Sequence, residues 1–424
     1  MKNLELTAKQ EEALKIAVAR YQLGMPYTVI AGYAGAGKST LVNFIISALN
    51  IPPEKVAYVA YTGKAANVLK NKGCPNATTA HKLLYYAQQT PSGNYVFKPK
   101  KVLEEQYELI VVDEVSMLPQ ELWYQLLAHH VYVLAMGDPG QLPPPRDETN
   151  TVLDNPHIFL DEIMRQAQDS AIIRLSMHIR EGKDFREFPT VSGEVRIIPH
   201  KYQFEDENIT LLQASQILCG LNAQRYDLNR KVRTMLGYGP IPTETDRIIG
   251  LKNHWDEVSD EGNALTNGAI GTIIPKEHII QEYPATERFK GFKPTDILMA
   301  DFITEDGDTF HDLPLDYKCL TTNEPSLTGA QEFILGGYNK GQLQNKNSRY
   351  SRYINYKRPQ DPKIIPYNFN YGYAITTWKA QGSEYPYVLG YDCAWLRKKD
   401  KDEYIKYLYT LVTRAQQAVI LVGD

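Results

Sequence analysis

The chain has 424 residues, 43% hydrophobic and 23% charged, with a formal net charge of −4. That balance fits a soluble globular protein of about two to four domains. It excludes a globally basic surface, so nucleic acid would need a local basic groove, and no apolar stretch approaches the length of a membrane span. The opening residues Met1–Thr7 carry no apolar signal-peptide core. The four cysteines, Cys74, Cys219, Cys319 and Cys393, lie far apart with no C-x-x-C pair. This disfavours a zinc site or disulfide framework and fits a reducing, cytoplasmic setting. The 29 tyrosines are mostly expected in packing, with a few exposed rings able to stack on bases.

The first element is a β-branched strand, Tyr27–Ala31, followed by Gly32-Tyr33-Ala34-Gly35-Ala36-Gly37-Lys38-Ser39-Thr40 and a run with helical spacing, Leu41–Leu49. Strand, glycine loop and helix are the setting of a phosphate-cradling loop. The glycines let backbone N–H groups curl around phosphate oxygens. Gly35, Ala36, Gly37, Lys38, Ser39 and Thr40 are the candidate nucleotide contacts, with Lys38 reaching the β- and γ-phosphates and Ser39 holding Mg²⁺.

Around residues 86–105 the segment Gln89–Pro99 sets a Pro-Ser-Gly-Asn turn beside a β-prone run, predicting a hairpin. Its aromatics, Tyr95 and Phe97, either pack on the domain below or stand free to stack on a base. Next, Leu109–Val112 reads as a buried parallel strand ending in Asp113-Glu114. Alone, such an ending is equally a pair of solvated acids. Downstream of a phosphate loop it places Asp113 to position Mg²⁺ and Glu114 to orient or deprotonate the attacking water. The strand Tyr132–Met136 then runs into Gly137-Asp138-Pro139-Gly140-Gln141-Leu142. There Gln141 can sense the γ-phosphate, and the proline-rich exit also closes a domain.

Beyond residue 146, Ser170–Arg180 has helical spacing and stops at Glu181-Gly182. Gln216–Gly220 reads as a strand, and Arg225 through Arg233 as a helix whose basic side chains either touch phosphate or, for most of them, form a solvated face. Residues 241–369 turn β-prone and polar, with an Asn267-Gly268 turn between short strands. Residues 321–350 are polar enough for an extended arm or a mobile loop. The last strands are Tyr387–Tyr391 and Ala418–Val422.

Several further segments resemble the motifs of superfamily 1 DNA helicases, in the 5′→3′ branch that contains RecD and the phage helicase Dda. Leu6–Leu14 resembles the leading glutamine motif, which implies that Gln10 reads the adenine edge. Ala60–Ala66 and Thr78–Leu84 resemble two DNA-contacting segments, and Phe159–Gln166 the segment supplying a phosphate-sensing arginine, here Arg165. Ala374–Glu384 and Leu408–Ala415 resemble the fifth and sixth motifs, with Arg414 as a second arginine finger. One departure is Trp378, where the family usually has His; an indole cannot accept a hydrogen bond.

The resemblance implies an α/β fold: two RecA-like parallel-sheet motor domains with an inserted β-hairpin and an inserted SH3-like β-barrel. The expected domains are residues 1–145, then 146–240 with 370–424, with the β insertion at 241–369 and the hairpin as the pin that splits the duplex. Catalysis would rest on Lys38, Glu114, Gln141, Arg165 and Arg414, with ATP and Mg²⁺ as cofactors, and with Gly382 and Glu384 also at the nucleotide. Single-stranded DNA would be gripped by Thr62, Lys64 and His81 on one lobe and by Thr376, Thr377, Lys379 and Glu384 on the other, with His81 alternatively a core residue. Hydroxyl and backbone donors hold any sequence without reading it. The implied activity is ATP-driven translocation, 5′→3′, with duplex unwinding. An RNA helicase, a protein-displacing translocase or a scaffold with a weak ATPase are the alternatives. Implied partners are single-stranded DNA and duplex junctions, with replication, recombination or repair proteins, around a working monomer encoded by a bacterium or phage.

Overall fold

The computed structural model describes residues 6–74, 76–89, 95–143, 150–164, 168–199, 211–283, 292–332, 335 and 363–423. Along the first part run β1 (Tyr27–Gly32), β2 (Val56–Ala60), β3 (Ala77–Thr79), the hairpin strands β4 (Tyr85–Gln89) and β5 (Tyr95–Pro99), then β6 (Leu109–Val112), β7 (Tyr132–Gly137) and β8 (Ile158–Leu160). Apart from the hairpin these make one parallel sheet in the order β3-β2-β6-β7-β1-β8. β6 and β7 are buried at every position, the pattern of strands inside a parallel sheet. Ile30, Leu41, Ile45, Leu109 and Leu134 are fully buried in its core, each contributing about 1.5–3 kcal/mol.

The order places β6, β7 and β1 side by side, so the loops that follow them open at the same edge, the carboxyl edge where open α/β sheets bind ligands. The sheet does not stop at residue 145. β8 pairs with β1 in parallel, so the chain returns after its proline-rich exit and adds an edge strand through Leu160.

The later strands are β9 (Val195–Ile198), β10 (Gln216–Cys219), β11 (Arg247–Gly250), β12 (His254–Val258), β13 (Ala264–Leu265), β14 (Ile270–Gln281), β15 (Thr295–Thr304), β16 (Thr309–Asp316), β17 (Phe369–Tyr371), β18 (Ala374–Thr376), β19 (Tyr385–Tyr391) and β20 (Ala415–Val422). A second parallel sheet has the order β18-β10-β19-β20-β9. The helices Ala171–Arg180 and Lys401–Val412 pack on each other beside it.

The chain divides into two compact units. One holds residues Met1–Leu84, Lys100–Leu228 and Ala374–Asp424, and so both parallel sheets. The other holds Tyr85–Pro99 with Asn229–Tyr373, so the hairpin groups with the β insertion rather than with the sheet that flanks it in sequence. In that unit an antiparallel sheet runs β16-β15-β14-β11-β17 over a core of Ile248, Ile273, Phe302, Phe310, Leu315 and Phe369. Leu315 at one edge bridges Tyr367, two residues before the strand at the other edge. Arg233 and Asp246 form a buried bidentate pair, with both bonds at 2.9 Å. This corrects the solvated-face reading of the Arg225–Arg233 helix: Arg225 and Arg233 are buried. The polar segment is described only as far as residue 332 and at 335; the rest of it lies outside the described residues. Among the described residues no helix is long and apolar enough to cross a membrane.

Candidate functional site

The phosphate loop leaves β1 and curls through two left-handed glycines, Gly35 (φ 78°) and Gly37 (φ 77°), a conformation costly for any residue with a Cβ. A Cβ on Gly37 would stand 2.6 Å from the Gln10 amide nitrogen. The Lys38 ammonium donates to Gly32 O (2.7 Å) and Tyr33 O (3.1 Å), inside the curl. Gln10, buried, donates to Ala36 O (3.2 Å) and accepts from Thr7 N–H (3.1 Å) as half of a capping box. Met164 N–H donates to Gly35 O (3.0 Å) from beyond β8.

Asp113 and Glu114 follow β6. Burial pushes Asp113 up to about 6, with the Glu114 carboxylate adding to it. Its bond from Glu114 N–H, and Lys38 and Lys72, act in the opposite direction. Glu114 sits in the left-handed region (φ 48°, ψ 50°) without being glycine, the kind of local strain that collects at functional sites. Its Oε1 accepts from Arg414 Nη1 at 3.3 Å, and its Oε2 is buried without a partner.

Arg414 comes from beyond the helix Lys401–Val412, on the second sheet. It is buried and also donates to Thr410 O and Ser383 O, each at 3.3 Å. Gly382 (φ 74°) brings the same segment against the first sheet's domain: a Cβ there would lie 2.8 Å from Ala65 Cβ and 3.5 Å from Glu114 Oε2. Thr62, Lys72, Asp113, Glu114, Gly382 and Arg414 thus line one cavity.

After β7, Asp138 is buried and its Oδ1 accepts from Gly140 N–H (2.9 Å). Gln141 is buried, with its Oε1 unpartnered. Its neighbour Leu142 is held from the second sheet's side, donating to Thr410 Oγ1 (2.9 Å) and accepting from Gln381 Nε2 (2.8 Å).

Residues 5–198 match the family profile of an AAA domain, and residues 371–422 that of a UvrD-like helicase C-terminal domain. Both matched segments are thus similar to parts of proteins described as helicases or AAA domains. The chain is similar to the ATP-dependent RecD2 DNA helicase of Deinococcus radiodurans, at 34% identity over 167 residues, 38% of this chain and 22% of that one. It is also similar to the ATP-dependent DNA helicase dda of Enterobacteria phage T4, at 28% identity over 192 residues, 42% of this chain and 43% of that one. The matched segments thus span less than half the length of either relative. The crystal structure of Pif1 helicase from Candida albicans superposes over 99% of this chain and 94% of that one, with 18% identity and a TM-score of 0.48.

The residues expected along a nucleic-acid strand divide. Thr62 caps the helix Gly63–Asn71, accepting from Ala65 N–H (3.2 Å). Lys64 lies 4.8 Å from the centroid of Tyr385 and donates to its hydroxyl (3.3 Å). His81 is half-buried, its ring 6.1 Å from that of Tyr61. Lys379 is exposed and Thr376 half-buried. Thr377 is a correction: it is fully buried, with its N–H on Cys219 O (3.0 Å), because the chain turns inward after β18. Trp378 packs beside Tyr407, ring centroids 5.7 Å apart.

Gly382 and Glu384, expected at the nucleotide, line the same cavity as Asp113, Glu114 and Arg414. Gly382 faces Ala65, Thr62 and Glu114, and exposed Glu384 pairs with Lys72 (3.8 Å) and Gln416 (3.0 Å). Gln10 ties its own helix cap at Thr7 to the loop at Ala36 with the two ends of its amide, a structural use the sequence did not suggest. Ser39 is exposed in the first turn of its helix. In the hairpin, Phe97 is exposed and meets Tyr85 edge-on at 6.0 Å. Tyr95 pairs with Gln89 along the backbone, and its side chain, like Arg165, lies outside the described residues.

Two residues at the site escaped the sequence reading. Arg180, ending the helix Ala171–Arg180, stacks its guanidinium 3.5 Å from the centroid of Tyr33 in the phosphate loop. Tyr409 hydrogen-bonds to that loop as well, accepting from Ala34 N–H (2.9 Å). Neither is marked by local spacing; only the meeting of the two sheets reveals them.

Proposed function

We propose that the chain is an ATP-dependent DNA helicase that translocates 5′→3′ on single-stranded DNA and unwinds duplex. The observation that carries this reading is the Arg414–Glu114 contact: an arginine from the UvrD-like segment meets the carboxylate that follows β6, beside the phosphate loop. An ATPase site built from two domains makes hydrolysis depend on their closure, and closure and release are what step a strand.

The residues present fit Mg-ATP. The glycine curl leaves no room for a Cβ at Gly37, Lys38 lies within it, and Asp113 and Ser39 are an acid and a hydroxyl suited to Mg²⁺. Mg²⁺, when bound, neutralises charge developing on the β- and γ-phosphates. Glu114, by its free Oε2, orients the attacking water, Gln141 senses the γ-phosphate, Arg414 and Arg180 supply positive charge from the second domain, and Arg165 is the further phosphate-sensing arginine. Such arginines contribute about 10³–10⁵ in rate.

We assign residues 6–84 and 100–164 to a first RecA-like motor domain and residues 168–228 with 374–423 to a second. Residues 229–373 form an inserted module of SH3-like type, a reading supported by the bridge from edge-strand Leu315 to Tyr367, just before the other edge strand. Thr62, Lys64, His81, Thr376 and Lys379 are proposed to hold the DNA strand. The hairpin is proposed as the pin: a base-pair step costs about 1.4 kcal/mol to open, and stacking on one ring such as Phe97 returns about 1–3 kcal/mol. Replication, recombination or repair of DNA is the proposed setting, for a monomer acting in the cytoplasm.

The test is unwinding of DNA duplexes carrying a 5′ or a 3′ single-stranded tail, beside matching RNA duplexes. Opening of 5′-tailed DNA with ATP is the expected result. Opening of 3′-tailed DNA alone contradicts the polarity, and opening of RNA alone contradicts the substrate.

A further inference from the structure

We propose that Tyr409 is a positioning residue of the ATPase site. Through one hydroxyl it ties the phosphate loop to the Gly137–Gln141 loop, so that both take up their hydrolytic geometry only when the helix Lys401–Val412 is seated against them. This deepens the ATPase reading above and rests on it.

The hydroxyl makes two bonds in opposite senses. It accepts from Ala34 N–H (2.9 Å) and donates to Asp138 Oδ2 (2.7 Å). Ala34 lies in the phosphate loop and Asp138 three residues before Gln141, yet the tyrosine that joins them comes from the C-terminal helix. Tyr409 is 1% exposed, so water cannot replace either bond. Burial, with the Asp138 carboxylate beside it, holds the phenol well above its ordinary value, so it stays a proton donor.

The ring matters as well. A Cβ on Gly140 would stand 3.1 Å from Tyr409 Cε1, so the loop packs directly on the ring. Thr410, the next residue, takes the N–H of Leu142. Gln141 is therefore bracketed by two consecutive residues of one helix turn, and Arg414 follows on the same chain segment. Seating that helix sets the phosphate loop, the γ-phosphate sensor and the arginine together.

The experiment measures ATP hydrolysis with saturating single-stranded DNA for wild type, Tyr409→Phe, Asp138→Asn and the double variant, with a thermal unfolding midpoint for each. Tyr409→Phe keeps the packed ring and removes only the hydroxyl. We expect kcat to fall about tenfold, the scale of a lost hydrogen bond to a charged group, with KM for ATP changed less than about twofold. Because both residues act through the same hydroxyl, the double variant should be no more than about twofold worse than the weaker single.

An unchanged kcat in Tyr409→Phe overturns the proposal. So do losses that multiply in the double variant, or a fall in kcat accompanied by an equal rise in KM and a lowered midpoint. A wild type that does not hydrolyse ATP overturns the ATPase reading and this proposal with it. A wild type that hydrolyses beside an unimpaired Phe variant overturns this proposal alone.

Discussion

Gly382→Ala tests how tightly the two parallel-sheet domains must meet. The residue holds φ at 74°, a backbone state that costs a residue with a Cβ about 1–2 kcal/mol. The added methyl would also stand 2.8 Å from Ala65 Cβ, whereas carbon atoms rest at about 3.5–4.0 Å, so the contact must open by roughly 1 Å. A misplacement of that size beside a reacting group costs about 10²-fold in rate. Since the phosphate loop, Lys38 within it and the Gln10 brace all lie in the first domain, binding of a fluorescent ATP analogue should change little. DNA-stimulated phosphate release should fall about a hundredfold by the same argument. Ala65→Gly in the same chain removes the opposing methyl and should restore part of the rate. The remaining deficit should reflect the φ strain and the helix cost of the new glycine, about 1 kcal/mol. Undiminished hydrolysis in Gly382→Ala, or no recovery with Ala65→Gly, would refute this reasoning.

Glu114→Gln should bind ATP yet release phosphate at least about 10²-fold more slowly, as loss of a general base does; single-turnover kinetics read this, and wild-type turnover would remove Glu114 from its assigned role. Phe97→Ala should slow strand separation more than hydrolysis, and equal losses in paired unwinding and ATPase assays would count against a pin. Asp246→Ala leaves Arg233 buried without its bidentate partner and should destabilise the β module by about 3–5 kcal/mol, read as a lowered urea midpoint. A loss below about 1 kcal/mol, the scale of a surface pair, would mean the pair is effectively solvated.

What could be read from the sequence was local. The phosphate loop announces itself because left-handed turns demand glycine, and the chain supplies glycine at 35 and 37, where the structure has positive φ. Asp113 and Glu114 were legible because a strand buried on both faces is continuously apolar and its end is abrupt. Contacts that depend on chain closure were not legible. Ala34 and Tyr409 are 375 positions apart, and no periodicity links them. The edge strand β8 is three residues long, too short to show a pattern, which is why the first sheet extends past the expected boundary. Arg225 and Arg233 read as solvent-facing because charge usually is; the buried carboxylate that holds Arg233 lies beyond the helix, at Asp246. Thr377 followed from resemblance to a strand-gripping motif, and the turn after β18 buries it instead.

The central claim is that the nucleotide is hydrolysed between two domains, with Arg414 completing a pocket begun by Lys38. Its most direct test is Arg414→Ala, comparing ATP binding with DNA-stimulated hydrolysis in the same preparation. The account predicts near-normal binding and a loss of about 10³-fold or more in turnover, the scale of an arginine finger. Turnover within about tenfold of wild type, well short of that scale, would contradict it.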